Sequence, residues 1–283
     1  MGKGESFPIS FEFFPPATPA GAEKLMLVHA ELARIKPAFF SVTFGAGGST
    51  RDRTLDAILS IKQAGSEAAP HLSCIGATRA GLHTMLERYR ELGVRRIVAL
   101  RGDLPSGVGD PGELHHASEL VAFIRESFGR QFLIEVAAYP EYHPEARSPD
   151  QDLDYFRLKV EAGADAAITQ YFFNADAYEH FLEQTRARGI GIPIVPGVMP
   201  IANFAKIARF SDACGAEIPR WIRLKMESFG DDQESVRAFG LDVLSGLCER
   251  LLRLGAPGLH FYTLNQAGLS REICRRLGLG DHG

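Results

Sequence analysis

Short apolar runs alternate with helical patterns about eight times along the chain. Most of these runs are dense in Val, Ile, Phe and Ala without a clean polar alternation, which is typical of strands buried on both faces of a parallel sheet. The predicted strands are Ile9–Phe13, Phe39–Thr43, His71–Ile75, Arg96–Leu100, Phe132–Ala137, Ala166–Tyr171, Ile194–Gly197 and Gly258–Tyr262.

The segments between these runs carry apolar residues at helical spacing, as from Leu25 to Ile35. Ser148-Pro149-Asp150-Gln151 combines an N-cap serine, a proline at the first helical position and a glutamine three residues after the cap. The apolar stripe from Val236 to Leu251 predicts an additional long helix before the last strand.

Eight strand–helix units follow one another without a linker or a change of composition. This order favours a single (βα)8 barrel of the TIM type, with residues 1–283 as one domain and an extra helical segment before the last strand. A doubly wound open sheet is the alternative, and it usually carries a Gly-x-Gly-x-x-Gly turn after its first strand. The turn here is Phe14-Pro15-Pro16-Ala17, which counts against that alternative.

Composition and charge exclude several classes of protein. The 283 residues include 31 Lys and Arg against 35 Asp and Glu, and this net charge of −4 predicts no general attraction to nucleic acid or to an acidic membrane. No apolar run approaches the roughly 20 residues that a membrane span needs. Four widely spaced cysteines without a Cys-x-x-Cys pair argue against a disulfide framework or a metal site and fit a cytoplasmic protein.

Polar residues follow several predicted strands, and in a barrel these strand ends form the rim where catalytic groups gather. Glu12 is the sharpest case, because it lies among Phe11, Phe13 and Phe14 in a strand suited to burial. Burial is expected to raise the pKa of this carboxyl toward neutrality, as a general acid requires. The alternative is a structural glutamate paired with a buried arginine or lysine.

Other candidates at the rim are less specific. Asp103 either orients a polar ligand or forms a turn, and the amide of Gln170 either binds a heterocycle or fastens the rim. The glycine-rich segment 45–48 lacks the Gly-Lys-Ser/Thr of a phosphate-binding loop. Arg95 and Arg96 are expected to lie on a solvated helix face.

Seven motifs occur in order between residues 10 and 265, and together they closely resemble the catalytic domain of the 5,10-methylenetetrahydrofolate reductase family in its short bacterial form. Any one of them is modestly specific, but seven in register make a strong resemblance. The motifs are the segments Ser10–Pro16, Val42–Gly48, Arg101–Pro105, Ala137–Pro144, Ile168–Phe173, Pro196–Pro200 and Phe261–Asn265.

The resemblance implies a barrel that holds FAD non-covalently, takes hydride from NADH or NADPH and passes it to methylenetetrahydrofolate, yielding 5-methyltetrahydrofolate. Both substrates would use one site in turn, in a ping-pong scheme, and the product would supply one-carbon units for methionine synthesis. A homo-oligomer is expected, since family members form dimers or tetramers. No ribose-reading motif separates NADH from NADPH.

The resemblance also implies roles for individual residues. Glu12 matches the general acid that protonates N10 of the folate, and Asp103 matches an aspartate beside the flavin that also contacts the pterin. Gln170 matches a folate-contacting glutamine, and Phe210 matches a phenylalanine that packs on either substrate. The flavin-contacting positions are Thr43, Ala46, His71, Arg101, Gly102, Asp103, Ala117, Tyr139, His143, Ala146, Asp152 and Lys159.

Some positions depart from the family pattern. Gln266 stands where an arginine can bind the acidic tail of the folate, and Lys206 in a nearby helix is expected to compensate in part. Phe44 replaces a common tyrosine, and Tyr155 and Leu158 replace polar residues that can touch the adenosine end of FAD. No C-terminal domain for inhibition by S-adenosylmethionine is expected, because the chain ends soon after the eighth unit.

Two other functions stay open at the level of the sequence. A lyase or aldolase on the same barrel would form a Schiff base. Its candidate amine is Lys225, shortly after the seventh strand, although this residue does not lie cleanly at a strand end. The other alternative function is a barrel that binds folate without catalysis, and the presence of both Glu12 and Asp103 speaks against it.

Overall fold

The strands of the protein form a closed barrel. The structure is a computed structural model that describes residues 7–44, 48–102 and 112–279. Its strands are all parallel and pair in sequence order, and β8 pairs with β1 to close the sheet. The predicted (βα)8 fold is therefore confirmed. The strands are β1 (Ile9–Phe13), β2 (Phe39–Val42), β3 (Ala68–Ser73), β4 (Arg96–Leu100), β5 (Leu133–Ala138), β6 (Ala166–Tyr171), β7 (Ile194–Val198) and β8 (Leu259–Tyr262).

Within the described residues ten helices surround this barrel. Three of them separate β7 from β8, and the third is the predicted long additional helix. No helix in the described ranges is long and apolar enough to cross a membrane. The helices are α1 (Pro19–Ala33), α2 (Gly48–Gln63), α3 (Arg79–Glu91), α4 (Ala117–Phe128), α5 (Pro149–Glu161), α6 (Ala175–Ala187), α7 (Phe204–Cys214), α8 (Arg220–Ser228), α9 (Gln233–Arg253) and α10 (Gly268–Arg276).

Strand β3 differs most from its predicted bounds, since it begins at Ala68 and ends at Ser73 rather than running from His71 to Ile75. Two alanines and a proline open the strand, and none of them carries a strong strand signal. They extend the sheet all the same, because Phe40 of β2 pairs with Ala68. His71 therefore lies within the barrel wall instead of at the start of a strand.

The start of α5 follows the predicted capping pattern. The hydroxyl of Ser148 accepts a hydrogen bond from the backbone N–H of Gln151 at 3.2 Å, and Oε1 of Gln151 accepts one from the N–H of Arg147 at 2.9 Å. These bonds satisfy amide groups that the first helical turn leaves without partners. They fix the helix that carries Asp152 and Lys159.

The hydrophobic core lies mainly between the barrel and its helices. Phe11, Phe13, Phe40 and Phe261 are fully buried there, with ring centroids 5.3 to 5.8 Å apart. Burying each such ring contributes on the order of 2 kcal/mol. The barrel interior holds a much smaller apolar cluster around Phe39, Ala69, Val98 and Ile168. Polar and charged side chains share the barrel interior with this cluster.

Candidate active site

An ion pair between Arg96 of β4 and Glu135 of β5 lies near the amino-terminal end of the barrel interior. Both residues face inward, because their neighbours Ile97 and Ile134 pack in the outer core. The guanidinium of Arg96 also lies over the ring of Phe39, 4.5 Å from its centroid. The expectation of a solvated Arg96 is therefore wrong, since the residue is in a strand and strand alternation directs it inside.

Glu12 lies in the same interior, near the carboxyl end of β1. Its Oε2 is 3.3 Å from Nε2 of His71 and 3.6 Å from Nε2 of His260. Nδ1 of His260 is 2.7 Å from the hydroxyl of Ser10. Glu12, His71 and His260 are all buried, and neither Nε2 atom has a hydrogen-bond partner among the described residues. In the described part of the chain, two imidazoles therefore take the place of the arginine or lysine that a structural glutamate would need.

The two imidazoles set the charge of the carboxyl. Burial raises the pKa of Glu12, as expected, but His71 and His260 outweigh it and lower the pKa to about 2. The expectation of a pKa raised toward neutrality is therefore wrong, because it considered the phenyl rings alone. Only positively charged imidazoles lower the pKa of Glu12 in this way. Beside neutral imidazoles, the effect of burial would dominate and favour the protonated carboxyl.

Gln170 lies near the carboxyl end of β6 and is half-buried. Its Oε1 accepts a hydrogen bond from the backbone N–H of Tyr171 at 3.0 Å. The side chain lines a small cleft together with Tyr139, Tyr142 and Cys214. The cleft lies between the loop after β5, the carboxyl end of β6 and the end of α7. The carboxyl end of a barrel strand is the expected place for a polar group that contacts a substrate.

Lys159 on α5 carries a half-buried ammonium group beside the end of β5. Its Nζ donates a hydrogen bond to the carbonyl oxygen of Ala137 at 2.5 Å. Burial lowers the pKa of Lys159 to about 8, and the nearby carboxylate of Asp152 counteracts only part of this effect. Asp152 in turn accepts a hydrogen bond from the backbone N–H of His143 at 3.1 Å. A cation with so little compensating charge fits an anionic ligand such as a diphosphate.

Three more of the predicted flavin contacts, Arg101, Gly102 and Ala117, follow β4. Nη1 of Arg101 is 2.6 Å from Oε2 of Glu145. Gly102 has a φ of +87°, and a Cβ there would lie 1.9 Å from Oγ of Ser73, so the position requires glycine. Ala117 begins α4, whose N-cap residue makes no side-chain capping bond, while Glu119 in the first turn accepts a hydrogen bond from the backbone N–H of His115 at 2.7 Å.

The remaining predicted flavin contacts lie on loops at the same rim. Thr43 follows β2, and its N–H donates to the carbonyl of Phe13 at 2.9 Å. The rings of Tyr139 and His143 meet edge to face at 4.7 Å, and the N–H of Ala146 donates to the carbonyl of His143 at 2.9 Å. Ala46 and Asp103 lie outside the described residues.

The predicted folate contacts outside the barrel are on α7 and after β8. Phe210 is exposed, and Nζ of Lys206 lies 5.6 Å from the centroid of its ring. Gln266 is exposed and lies in the loop after β8, where its N–H donates to the carbonyl of Thr263 at 3.0 Å.

Lys225 does not lie at a strand end. It is exposed on α8, after another helix has already followed β7, and its Nζ lies 5.0 Å from the centroid of Phe229. This placement speaks against a Schiff-base lyase. Within the described ranges, no group of three or more His, Cys, Asp or Glu side chains is arranged to hold a metal ion.

His260 and Glu135 are the functional candidates that reasoning from sequence missed. Each is a polar residue within an apolar strand, the same signal that singled out Glu12. His260 also lies two residues before Tyr262, so strand alternation puts both side chains on one face.

Comparisons with known proteins identify the family to which the chain is similar. A family model described as methylenetetrahydrofolate reductase matches residues 2–278. The 5,10-methylenetetrahydrofolate reductases of Salmonella typhimurium and Escherichia coli are each 44% identical over 272 residues, which is 96% of this chain and 90% of theirs. "Methylenetetrahydrofolate reductase (NADH) 1" of Arabidopsis thaliana is 37% identical over 286 residues, which is 96% of this chain and 48% of that protein.

One solved structure matches the whole barrel. It is described as an uncharacterised protein from Clostridium thermocellum that binds two copies of 5-methyl-5,6,7,8-tetrahydrofolic acid. The TM-score is 0.67 at 16% identity, over 97% of this chain and 94% of that one. At this identity the likeness shows the fold alone.

Proposed function

The chain belongs to the methylenetetrahydrofolate reductase family, and from this premise we propose that it reduces 5,10-methylenetetrahydrofolate to 5-methyltetrahydrofolate with electrons from NADH or NADPH. The observation that carries the proposal is the carboxyl of Glu12, buried against His71 and His260 near the carboxyl end of β1. Opening the five-membered ring of this substrate requires a proton on the departing nitrogen. Glu12 is in a position of the barrel suited to deliver it.

FAD is the cofactor that we propose, and when bound it would carry hydride between the two substrates. Lys159 and Arg101 have the charge needed for its diphosphate. Gly102 packs against the side chain of Ser73, which fixes the backbone directly after β4. The remaining proposed contacts are Thr43, Ala46, His71, Asp103, Ala117, Tyr139, His143, Ala146 and Asp152.

Proton delivery would depend on the cluster of Glu12, His71 and His260. A charged imidazole holds Glu12 ionised, as its low pKa reflects. Beside neutral imidazoles, burial would favour the protonated form of Glu12. The protonation of Glu12 would therefore depend on the charge of its two neighbours. From this cluster Glu12 would donate to N10 of the folate, and Asp103 would contact the pterin.

The folate would be held at the rim of the barrel. We assign contacts to Gln170, whose amide can donate and accept, and to Phe210, whose exposed ring can pack on a substrate. Lys206 would attract the acidic tail of the folate. Nicotinamide and folate would occupy this region in turn, which gives a ping-pong scheme.

The biological setting follows from the reaction. We propose a cytoplasmic enzyme that supplies methyl groups for methionine synthesis and acts as a homo-oligomer, a dimer or a tetramer. Residues 1–283 would form one catalytic domain.

The test follows the two half-reactions separately under anaerobic conditions. Purified protein reconstituted with FAD is expected to show flavin absorbance that NADH or NADPH bleaches. Methylenetetrahydrofolate should restore the absorbance while 5-methyltetrahydrofolate appears, detected by mass spectrometry. A protein that binds no FAD, or a reduced flavin that the folate cannot reoxidise, would overturn the proposal.

A further inference from the structure

Strand β6 carries an irregularity within the candidate site. Ile168 pairs with Val195 of β7, but the next pair is Tyr171 with Gly197, so β6 advances three residues while β7 advances two. The extra residue falls in the segment Thr169-Gln170, which makes the irregularity a β-bulge. Bulges re-aim side chains and are frequent beside active sites.

The bulge is bonded to β7 and β8 through Thr169. The hydroxyl of Tyr262 on β8 donates a hydrogen bond to the carbonyl oxygen of Thr169 at 2.7 Å. The backbone N–H of Gly197 on β7 donates to the hydroxyl of Thr169 at 2.9 Å. Tyr262 thus crosses β7 to bond a strand that is not its neighbour. We call these three residues, Tyr262, Gly197 and Thr169, the Tyr262 latch.

The latch requires glycine at position 197. A Cβ built there would lie 2.5 Å from Cε2 of Tyr262 and 2.3 Å from the carbonyl oxygen of Thr169. Both distances are shorter than any normal contact, so even an alanine would displace the ring or the bulge.

Tyr262 keeps its proton and therefore its role as a donor. Burial and the charge of Glu12 raise the pKa of the phenol well above its ordinary value. The ring is also held from the side, because it meets the imidazole of His260 edge to face at 5.2 Å. The hydrogen bond to Thr169 is thus present throughout the physiological range of pH.

The backbone that the latch holds sets the orientation of Gln170. A backbone N–H can only donate, so its bond to Gln170 points Oε1 of the side chain toward Tyr171 and turns the amide nitrogen the other way. We propose that Tyr262 is a positioning residue that sets folate affinity through Gln170. The inference rests on the proposed function, in which Gln170 contacts the folate.

A double-mutant cycle tests the inference on FAD-loaded enzyme. Tyr262→Phe is expected to lower kcat/KM for methylenetetrahydrofolate about threefold to tenfold, the range for one lost hydrogen bond. The kcat/KM for NADH or NADPH should change by less than about twofold, within the scatter of such effects. In a Gln170→Ala background, Tyr262→Phe should add no further loss, because the residue through which it acts is gone.

The chain offers a matched control in Tyr178. Its buried hydroxyl donates to the carbonyl oxygen of Ile194 at 2.7 Å, on the opposite side of the same sheet. Tyr178→Phe removes an equivalent bond and should leave kcat/KM for the folate unchanged. Gly197→Ala, which crowds both the ring of Tyr262 and the carbonyl oxygen of Thr169, should reproduce the effect of Tyr262→Phe.

A second readout does not depend on the folate. In hydrogen-exchange mass spectrometry the amide of Gly197 should exchange faster in Tyr262→Phe and at the wild-type rate in Tyr178→Phe. Unchanged exchange, an unchanged folate kcat/KM, or a loss that adds fully to that of Gln170→Ala would each overturn the inference. A wild-type protein that does not turn over the folate would overturn the proposed function instead, and the exchange rates would still decide whether the latch holds the bulge.

Discussion

Oε2 of Glu12 lies 3.3 Å from Nε2 of His71 inside the barrel wall, with both side chains almost fully removed from water. In such surroundings the proton affinity of the carboxyl is tied to the charge of the imidazole, because little solvent screens the two groups from each other. The same holds for His260 on the other side of the carboxyl. These contacts make the behaviour of Glu12 testable in several ways.

Glu12→Gln should separate the two half-reactions. An amide has the shape of the carboxyl but no proton to give, so flavin reduction by NADH or NADPH should continue. Reoxidation by methylenetetrahydrofolate should slow by about a hundredfold or more, the usual size of acid catalysis. Anaerobic stopped-flow absorbance measures both rates. Glu31→Gln, which alters an exposed carboxyl 3.5 Å from Arg271, is the control, and an equal loss in both half-reactions would show that Glu12 is not the acid.

The low pKa of Glu12 should also appear in the stability of the protein. Its pKa falls from 4.5 to about 2 on folding, so between these values the unfolded chain binds more protons. The stabilisation, on the order of 3 kcal/mol while the imidazoles are charged, is therefore lost as the pH falls from 4.5 toward 2. Urea unfolding of wild type and Glu12→Gln from pH 6 to pH 3 should show a difference that shrinks in this window. A difference independent of pH would contradict the low pKa.

Lys159 should make flavin affinity dependent on pH. Burial lowers the pKa of its ammonium to about 8, so the side chain loses its charge as the pH rises through that value. FAD affinity of the wild type should therefore fall above pH 8. Lys159→Met should bind FAD roughly tenfold to a hundredfold more weakly at pH 7, the worth of one charged hydrogen bond, and without this pH dependence. Fluorescence titration of each apoprotein with FAD measures the affinity across this range of pH. The same pH dependence in wild type and in Lys159→Met would count against a role for Lys159 in binding FAD.

Breaking the ion pair of Arg96 and Glu135 should be costly. Arg96→Met leaves a buried carboxylate without its partner and should lower the free energy of unfolding by about 3 to 5 kcal/mol. Adding Glu135→Leu should recover most of the loss, since no charge then remains unpaired. Urea denaturation measures both variants. Arg157→Met, which breaks an exposed pair with Glu161, should cost less than about 1 kcal/mol, and a similar cost for both arginines would contradict the burial argument.

Lys206 and Gln266 should determine how well the folate tail is bound. Lys206→Ala should raise KM for methylenetetrahydrofolate about twofold to fivefold, because an exposed charge pair contributes less than about 1 kcal/mol. Gln266→Arg in that background should restore the affinity. Steady-state kinetics at two salt concentrations measure KM for the folate in each variant. The increase in KM caused by Lys206→Ala should become smaller as the salt concentration rises. A KM unchanged in Lys206→Ala would place the tail elsewhere.

The barrel could be predicted from the sequence because its signals are local. Runs such as Arg96–Leu100 have the composition of buried strands, and Ser148 and Gln151 have the spacing of a cap. The bounds of β3 were less predictable, since Ala68 and Ala69 join the sheet through pairing with β2 rather than through their own propensity.

The polar interior could not be predicted in the same way. Whether Arg96 faces water or the inside depends on which face of the strand the closed sheet turns inward. The contact of Glu12 with His260 joins the first and last strands, so it exists only once the barrel closes. The bulge at Thr169 likewise reflects a register between strands, which no single segment encodes.

The ion pair in the barrel interior has a consequence for the whole catalytic cycle. Glu12 and Glu135 bring two negative charges when ionised, Arg96 brings one positive charge, and His71 and His260 bring none when neutral. These five side chains are electrically neutral as a group only when they hold one additional proton. If Glu12 donates a proton as proposed, the group would be left with an unbalanced charge in a medium of low dielectric, which favours the uptake of another proton. The proposed reaction would then draw one proton from the solvent into the barrel interior in each turnover.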